Sequence, residues 1–136
     1  MKFRYKKYGP NILRPVIPVE IINKTNGKSV KYEVLVDSGA DSCIFDAEIS
    51  DILGFESNKC RMGKVSGITG VAETIFSCPI ILKVGGAVAY ETTANFLVGI
   101  AKNGYGVVGQ QGFFDKFVVK FDLQSEDIEI KEKNKK

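Results

Sequence analysis

The sequence contains no histidine. Its absence excludes Ser-His-Asp and Cys-His nucleophile activation, zinc ligation by imidazole, and proton transfer through imidazole. Any acid-base catalysis must therefore use carboxylates, lysine or tyrosine. Long apolar runs are absent too: no segment approaches the roughly 18 residues that a membrane-spanning helix needs, and the basic N-terminus leads into Gly9 and Pro10. We therefore expect no membrane partner.

Cysteine is scarce, with only Cys43, Cys60 and Cys78 in the chain. The number is odd and no Cys-x-x-Cys spacing occurs, so the pattern predicts neither a disulfide framework nor a thiolate metal site. We expect small buried thiols in a reducing, cytoplasmic location. No pattern in the sequence predicts a bound metal ion or another cofactor.

Charge of one sign is also in short supply. Lys and Arg number 19 against 16 Asp and Glu, which leaves a net charge of +3. That excess is too small to make nucleic acid or an anionic membrane the default partner. The 136 residues, 44% of them hydrophobic, can build one core. We divide the chain into an N-terminal extension (1–11), one domain (12–130) and a charged, solvated tail (131–136).

Short β-prone segments separated by turn signals make up most of the chain. The segment 12–22 is rich in Val and Ile but contains Pro15 and Pro18, which favours an edge strand. Asn26-Gly27 then predicts a hairpin leading into a strand over 29–36. Further strands are predicted at 75–84 and 87–98, joined by Gly85-Gly86, and at 105–109, 117–122 and 128–130.

Two short helices interrupt these strands. The first runs from Asp46, which can cap it, to Gly54, which can end it, and the second lies around 111–116. Helices this short and this few do not suit a doubly wound parallel sheet. The pattern predicts an all-β, mainly antiparallel domain that closes on itself as a barrel with two short helices.

One segment, 35–42, carries the candidate chemistry. Asp37 follows an apolar strand directly and precedes Gly39, so buried backbone would hold the carboxylate while the turn exposes neighbouring amides. By itself, Asp-Ser-Gly is also ordinary turn chemistry.

Three segments, taken in order, resemble the retropepsin-like aspartic proteases, the single-domain relatives of the retroviral proteases. Asp37-Ser38-Gly39-Ala40 matches their Asp-(Ser/Thr)-Gly-Ala signature. The segment 64–70 is similar to their glycine-rich flap, and Val107-Val108-Gly109 with 110–117 is similar to their hydrophobic-hydrophobic-Gly element and following helix. The resemblance covers residues 12–122 and implies a closed retropepsin-like barrel.

The resemblance also implies a mechanism that needs neither histidine nor metal. Two aspartates share one proton and activate a water against a peptide bond. Because the chain has a single Asp-Ser-Gly, Asp37 would have to meet its counterpart in a symmetric homodimer. Ser38 would brace the two loops, and Gly39 would bring backbone close to the dyad and the substrate.

The remaining implied site residues would bind an extended peptide or protein substrate. Ala40 and Asp41 would line the cleft next to the dyad. The flap would fold over the substrate through flexible glycines, with an apolar contact from its tip. The flap residues implied in substrate binding are Gly67, Ile68, Thr69 and Gly70.

The chain departs from the family pattern in three places. Gln110-Gln111 replaces the Arg-Asp or Arg-Asn that many members carry, the N-terminal segment is longer, and the C-terminal strands run on to Ile130. A rival hypothesis keeps the fold without the activity, as a catalytically weak or inactive peptide-binding module. Loss of cleavage with Asp37→Asn favours the enzyme, whereas a module should keep its partner after that change.

Overall fold

Strands dominate the computed structural model, which describes residues 1–56, 60–66, 72–100 and 104–133. It contains twelve strands and one α-helix within those ranges. In chain order the elements are β1 (Lys2–Arg4), β2 (Lys6–Gly9), β3 (Ile12–Arg14), β4 (Val16–Ile22), β5 (Ser29–Val36), β6 (Cys43–Asp46), α1 (Ala47–Leu53), β7 (Arg61–Ser66), β8 (Ala72–Val84), β9 (Val88–Leu97), β10 (Gly106–Val108), β11 (Phe117–Asp122) and β12 (Asp127–Glu132).

Six of these strands form a closed barrel. The hydrogen-bonded order is β4-β5-β10-β6-β9-β8, and β8 pairs again with β4 to close the ring, while β7 extends it beyond β8. Two pairings, β5 with β10 and β6 with β9, are parallel, and the others are antiparallel. The all-β, mainly antiparallel class is therefore confirmed.

Alternate side chains of the barrel strands fill its interior. On β4, for example, Ile17, Val19 and Ile21 are buried, as the two-residue period of a strand requires. Burial of each such side chain stabilises the fold by about 1.5–3 kcal/mol. The largest fully buried side chains are Phe45, Phe96, Phe113, Phe117, Ile17, Ile21, Leu53, Ile80, Leu82, Ile128, Ile130 and Val34.

The first predicted helix forms as expected. The Asp46 carboxylate accepts a hydrogen bond of 2.9 Å from the Glu48 amide, and Gly54 ends the helix in the left-handed region at φ 67°. The turn between β8 and β9 also forms as predicted, because Gly85 and Gly86 adopt the two positive φ values, 65° and 70°, that a tight hairpin favours.

The second predicted helix does not form. Residues 111–116 make a series of turns, in which Gly112 has a φ of 98° and so cannot continue a right-handed helix. The Phe114 and Asp115 amides donate to carbonyls five residues earlier, those of Gly109 and Gln110, at 3.1 and 3.0 Å. The expected pair of helices is therefore wrong for the described residues, which contain α1 alone.

The predicted edge strand 12–22 is also wrong, because barrel closure gives β4 two neighbours. Residues 19–22 pair with both β5 and β8. Pro18, which has no N–H to donate, lies one residue before the stretch that pairs with β8 and faces Glu33 of β5. Pro18 therefore lies just outside the β4–β8 pairing that closes the barrel.

The two ends of the described chain form a separate three-stranded sheet in the order β1-β12-β11. The Met1 amino group donates to the Ile130 carbonyl at 2.8 Å, and the Ile130 amide donates back to the Met1 carbonyl at 2.8 Å. Residues 2–4 of the N-terminal segment therefore form a strand of this sheet. At the other end, β12 continues to Glu132, two residues into the predicted tail.

The cysteine prediction fails for two of the three thiols. Cys60 and Cys78 form a disulfide with a Cα–Cα distance of 4.5 Å. The β7–β8 register pairs Arg61 with Ser77, so the preceding Cys60 falls opposite Cys78. Cys43 is free and buried, as predicted.

No helix within the described ranges is long and apolar enough to cross a membrane.

Candidate active site

A loop that crosses over a buried strand holds the candidate carboxylate. Residues 37–42 connect β5 to β6, and β10 lies between these two strands. Val108 of β10 pairs in parallel with Val36, while Val107 pairs antiparallel with Ile44. The loop must therefore pass over the end of β10, where Gly109 follows the strand.

The loop's own backbone orients Asp37. The Asp37 amide donates to the Val108 carbonyl at 3.0 Å, which anchors the residue to β10. Its carboxylate Oδ1 accepts a hydrogen bond of 2.9 Å from the Gly39 amide, and its carbonyl accepts one of 3.2 Å from the Ala40 amide. The side chain is half-buried. A carboxylate is thus fixed at the end of a barrel strand, within reach of solvent.

Gly109 lets the loop and β10 come together. A Cβ atom at this position would lie 2.5 Å from the Ala40 carbonyl oxygen and 2.7 Å from that of Ser42, both backbone atoms. Beyond the glycine, the Gln110 amide donates to the Ala40 carbonyl at 2.8 Å and the Gln111 amide to the Asp41 carbonyl at 2.9 Å. The absence of a side chain at Gly109 therefore permits this second set of loop contacts.

The Gln110 side chain completes the bracing of the loop. Its Nε2 donates to the Ser38 carbonyl at 3.0 Å, while its amide donates to the Ala40 carbonyl. Gln110 therefore holds the loop on both sides of Gly39. In the sequence, Gln110 stands out only as a departure from the family pattern, and this bracing role is not apparent there. The available signal was a polar side chain directly after the Val-Val-Gly element.

A polar groove opens beside the loop. It has a volume of about 800 Å³ and extends from Ser42 and Gln111 to Arg61 on β7. Among its lining residues, the Ser77 hydroxyl donates to the Asn95 Oδ1 at 2.5 Å, and the Asn95 Nδ2 donates to the Ser42 hydroxyl at 2.8 Å. The sequence does not reveal this cluster, because the β8–β9 register brings Ser77 to Asn95 and the β6–β9 register brings Ser42 to the same side chain.

The structure brings five of the predicted site residues together and leaves four without a description. Asp37, Ser38, Gly39, Ala40 and Asp41 share one loop, where Ser38, Gly39 and Asp41 are exposed. The predicted flap residues Gly67, Ile68, Thr69 and Gly70 lie outside the described residues. The strands on either side of them, β7 and β8, pair as an antiparallel hairpin up to Ser66 and Ala72.

Other groups near the loop are poorly suited to nucleophilic or metal chemistry. Burial raises the pKa of the Cys43 thiol to about 11, so the reactive thiolate is scarce at neutral pH. Its Sγ lies 3.5 Å from the Gln111 carbonyl oxygen. In the described part of the chain, no three His, Cys, Asp or Glu side chains are grouped so that they could hold a metal ion.

The closed six-stranded barrel, with an Asp-Ser-Gly loop crossing a Val-Val-Gly strand, is a retropepsin-like fold. No family model matches the sequence, and no curated protein matches it. Among solved structures, the chain is similar to a retropepsin-like aspartic protease from Rickettsia conorii, with 17% identity over 96% of each chain and a TM-score of 0.59. It is also similar to the EIAV protease complexed with the inhibitor HBY-793, with 20% identity over 77% of this chain and 88% of that one and a TM-score of 0.49.

Proposed function

We propose that the protein is an aspartic endopeptidase that hydrolyses peptide bonds with a water activated by two Asp37 carboxylates, one from each of two copies. The observation that carries this proposal is the placement of Asp37. It stands at the end of a barrel strand, anchored to Val108 and oriented by the Gly39 amide, in a loop whose other residues are largely exposed.

The chemistry follows from two carboxylates sharing one proton. The ionised member takes a proton from water, and the oxygen of that water attacks the scissile carbonyl, which the protonated member polarises. A tetrahedral intermediate forms, its C–N bond breaks, and the leaving nitrogen receives a proton. Two close like charges cannot both ionise cheaply, so the pair titrates in two separated steps that belong to the dyad.

One chain supplies only half of this site. The sequence contains a single Asp-Ser-Gly and no Asp-Thr-Gly, so the second carboxylate comes from another copy. The exposure of Ser38 and Gly39 fits a loop that faces the same loop of a second copy. Ser38 then braces the two loops, and Gly39 lies near the substrate.

The substrate in this proposal is an extended peptide or protein segment. Ala40 and Asp41 line the cleft, and the groove from Ser42 toward β7 gives polar side chains of the substrate a place to bind. The proposal keeps Gly67, Ile68, Thr69 and Gly70, the flap residues that the family resemblance implies, as contacts of the bound peptide.

Cleavage of a peptide library in mildly acidic buffer tests the proposal. Wild type should cleave and should be inhibited by peptide mimics that carry a tetrahedral hydroxyl group. Asp37→Asn should lose at least about 100-fold in rate, because it removes the shared proton site. Asp51→Asn, an exposed carboxylate on α1, is the matched control and should retain wild-type rate.

Two outcomes contradict the enzyme. Equal rates for wild type and Asp37→Asn would exclude the aspartic mechanism. Peptide binding without cleavage at any pH, unchanged by Asp37→Asn, would favour the peptide-binding module.

A further inference from the structure

Strand β7 lies at the edge of the main sheet. Within the described part of the chain its one paired neighbour is β8, from Arg61 opposite Ser77 to Ser66 opposite Ala72. A strand with a neighbour on one side only is held by half of the backbone hydrogen bonds that a central strand makes. The other contacts of β7 therefore decide how firmly it is placed.

Side-chain burial adds little to the attachment of β7. Arg61 and Met62 are exposed, Met62 to 70%, and Gly63 has no side chain to bury. Met62 does not pack against the hydrophobic core. Burial of apolar side chains is the main force that fixes a strand in a fold. The first half of β7 lacks that force.

The Cys60–Cys78 disulfide supplies a side-chain anchor instead. Cys60, the residue before β7, is half-buried and packs against the core, and Cys78 of β8 is 1% exposed. Strand β8 is itself held firmly, because it also pairs with β9 along its length. The disulfide thus ties the beginning of a weakly attached strand to a well-placed one.

The residue pair next to the disulfide borders the polar groove. Successive side chains of a strand point to opposite faces. The disulfide packs against the core, so Ser77 faces the other way, where it meets Asn95 in the groove. Arg61, opposite Ser77, lines the same groove, and so do the next two residues of β7. The disulfide therefore fixes the strand that forms one wall of the groove.

We propose that the Cys60–Cys78 bond is a site of reversible thiol–disulfide exchange with dithiol reductants, and that its reduction loosens β7 and weakens substrate binding in the groove. This inference rests on the proposed function, because it concerns the affinity of that same site for its peptide. The oxidised protein is the form that binds tightly, and the reduced protein is the form that binds weakly.

The exchange is a balanced two-electron reaction. One thiolate of the dithiol attacks the sulfur of Cys60, the more accessible cysteine, and the S–S bond breaks as Cys78 leaves and takes up a proton. The second thiolate of the reductant then attacks its partner sulfur in the mixed disulfide and releases Cys60, which is protonated in turn. The protein gains the two hydrogens that the dithiol loses, and the reductant becomes a disulfide.

The third cysteine is too far away to take part. Ala94 of β9 lies opposite Cys78 on one side and Cys43 on the other. Two strand spacings of about 4.8 Å separate the Cα atoms of Cys43 and Cys78 by about 8–10 Å, depending on the curvature of the sheet. A disulfide needs Cα atoms within about 7 Å. Exchange therefore stays between Cys60 and Cys78.

A redox titration of the full chain tests the proposal. Peptide cleavage by wild type is measured after equilibration with dithiothreitol and again after reoxidation with oxidised glutathione, and free thiols are counted in denaturant at each point. The count should rise from one to three on reduction. The ratio kcat/KM should fall about tenfold, mainly through a higher KM, because a wall of the binding groove is displaced. Both quantities should return on reoxidation.

Two variants separate this bond from other effects of the reductant. Cys60→Ser removes the bond at its accessible end, and it should show the KM of reduced wild type under both conditions. Cys43→Ala removes the free, buried thiol and is the matched control, which should respond to reduction as wild type does. Equal responses of Cys60→Ser and Cys43→Ala would show that the disulfide does not control the site.

Amide hydrogen exchange gives a readout that does not need cleavage. The amides that join β7 to β8 should exchange about tenfold faster in the reduced protein, because a weakly attached strand has lost its anchor. The amides that join β4 to β5 are the internal control and should keep their rates. Equal acceleration of both sets would show that the bond stabilises the whole fold and would overturn the proposal.

Two further results would also overturn it. One is an unchanged kcat/KM in protein that has three free thiols. The other is a loss of activity that reoxidation does not restore, since a bond of that kind is structural only.

The proposal and the function on which it rests can fail separately. A protein that cleaves peptides through Asp37 equally well in both redox states keeps the protease and loses the redox control. A protein whose β7 amides respond reversibly to reduction, but which cleaves nothing in either state, keeps the exchange site and loses the protease.

Discussion

The Asp37 loop can cross β10 closely only because Gly109 has no side chain, and the substitution Gly109→Ala tests this dependence. The added Cβ would lie 2.5 Å from the Ala40 carbonyl oxygen, and ordinary contact begins at 3.4 Å, so backbone must move by about 0.9 Å. The same carbonyl accepts the Gln110 amide at 2.8 Å, so the shift strains that hydrogen bond as well. We expect a loss of about 3 kcal/mol in the free energy of unfolding, at the upper end of the usual cost of overpacking.

The effect on activity should exceed the effect on stability. Ala40 lies three residues from Asp37 in the same loop, and a displacement of about 1 Å at a catalytic group can cost about 100-fold in rate. Urea unfolding gives the first quantity, and peptide cleavage by the folded variant gives the second. Gly86→Ala is the control: its φ of 70° carries a conformational cost of about 1 kcal/mol, but open space surrounds it. A Gly109→Ala variant as stable and active as Gly86→Ala would refute the close crossing.

Three further predictions use other parts of the molecule. Gln110→Ala removes the hydrogen bond to the Ser38 carbonyl and should lower kcat about tenfold with a stability loss of about 1 kcal/mol, measured by cleavage and urea unfolding. Burial raises the pKa of Cys43 from 9.0 to about 11, so the folded protein holds a proton that the unfolded chain releases. The free energy of unfolding should therefore fall by about 2 kcal/mol more in wild type than in Cys43→Ala between pH 9 and 11, and equal slopes would contradict this. Replacing Cys60 and Cys78 by alanine should cost about 3 kcal/mol in urea unfolding, because the disulfide closes a loop with a sequence separation of 18; an unchanged midpoint would show that the bond is not formed.

Much of the fold could be predicted because its signals are local. The strand 29–36 has the predicted bounds, and α1 begins and ends at the predicted caps, Asp46 and Gly54. Each depends on a few adjacent residues: an Asn-Gly turn, a capping carboxylate and a glycine in the left-handed region. The missing second helix shows the limit of such signals, since the apolar spacing over 111–116 does not reveal the positive φ of Gly112.

The other features that could not be predicted depend on how distant strands are placed against one another. Pro18 favours an edge, yet closure of β4 on β8 places its strand inside a barrel. The disulfide follows from the β7–β8 register, and the cluster at Ser42 and Asn95 follows from the placement of three strands. The bracing role of Gln110 likewise requires the crossing of β10 under the loop. The spacing of residues along the chain does not indicate which of these distant side chains come into contact.

The most direct test of the shared site mixes wild type with Asp37→Asn at a fixed amount of wild type. Once subunits have exchanged, a ninefold excess of Asp37→Asn pairs most wild-type chains with an inactive partner. Cleavage per wild-type chain should then fall to about one tenth, because each active site needs both aspartates. Activity that stays constant as Asp37→Asn is added would show that one chain cleaves peptides alone, and it would contradict the two-copy site.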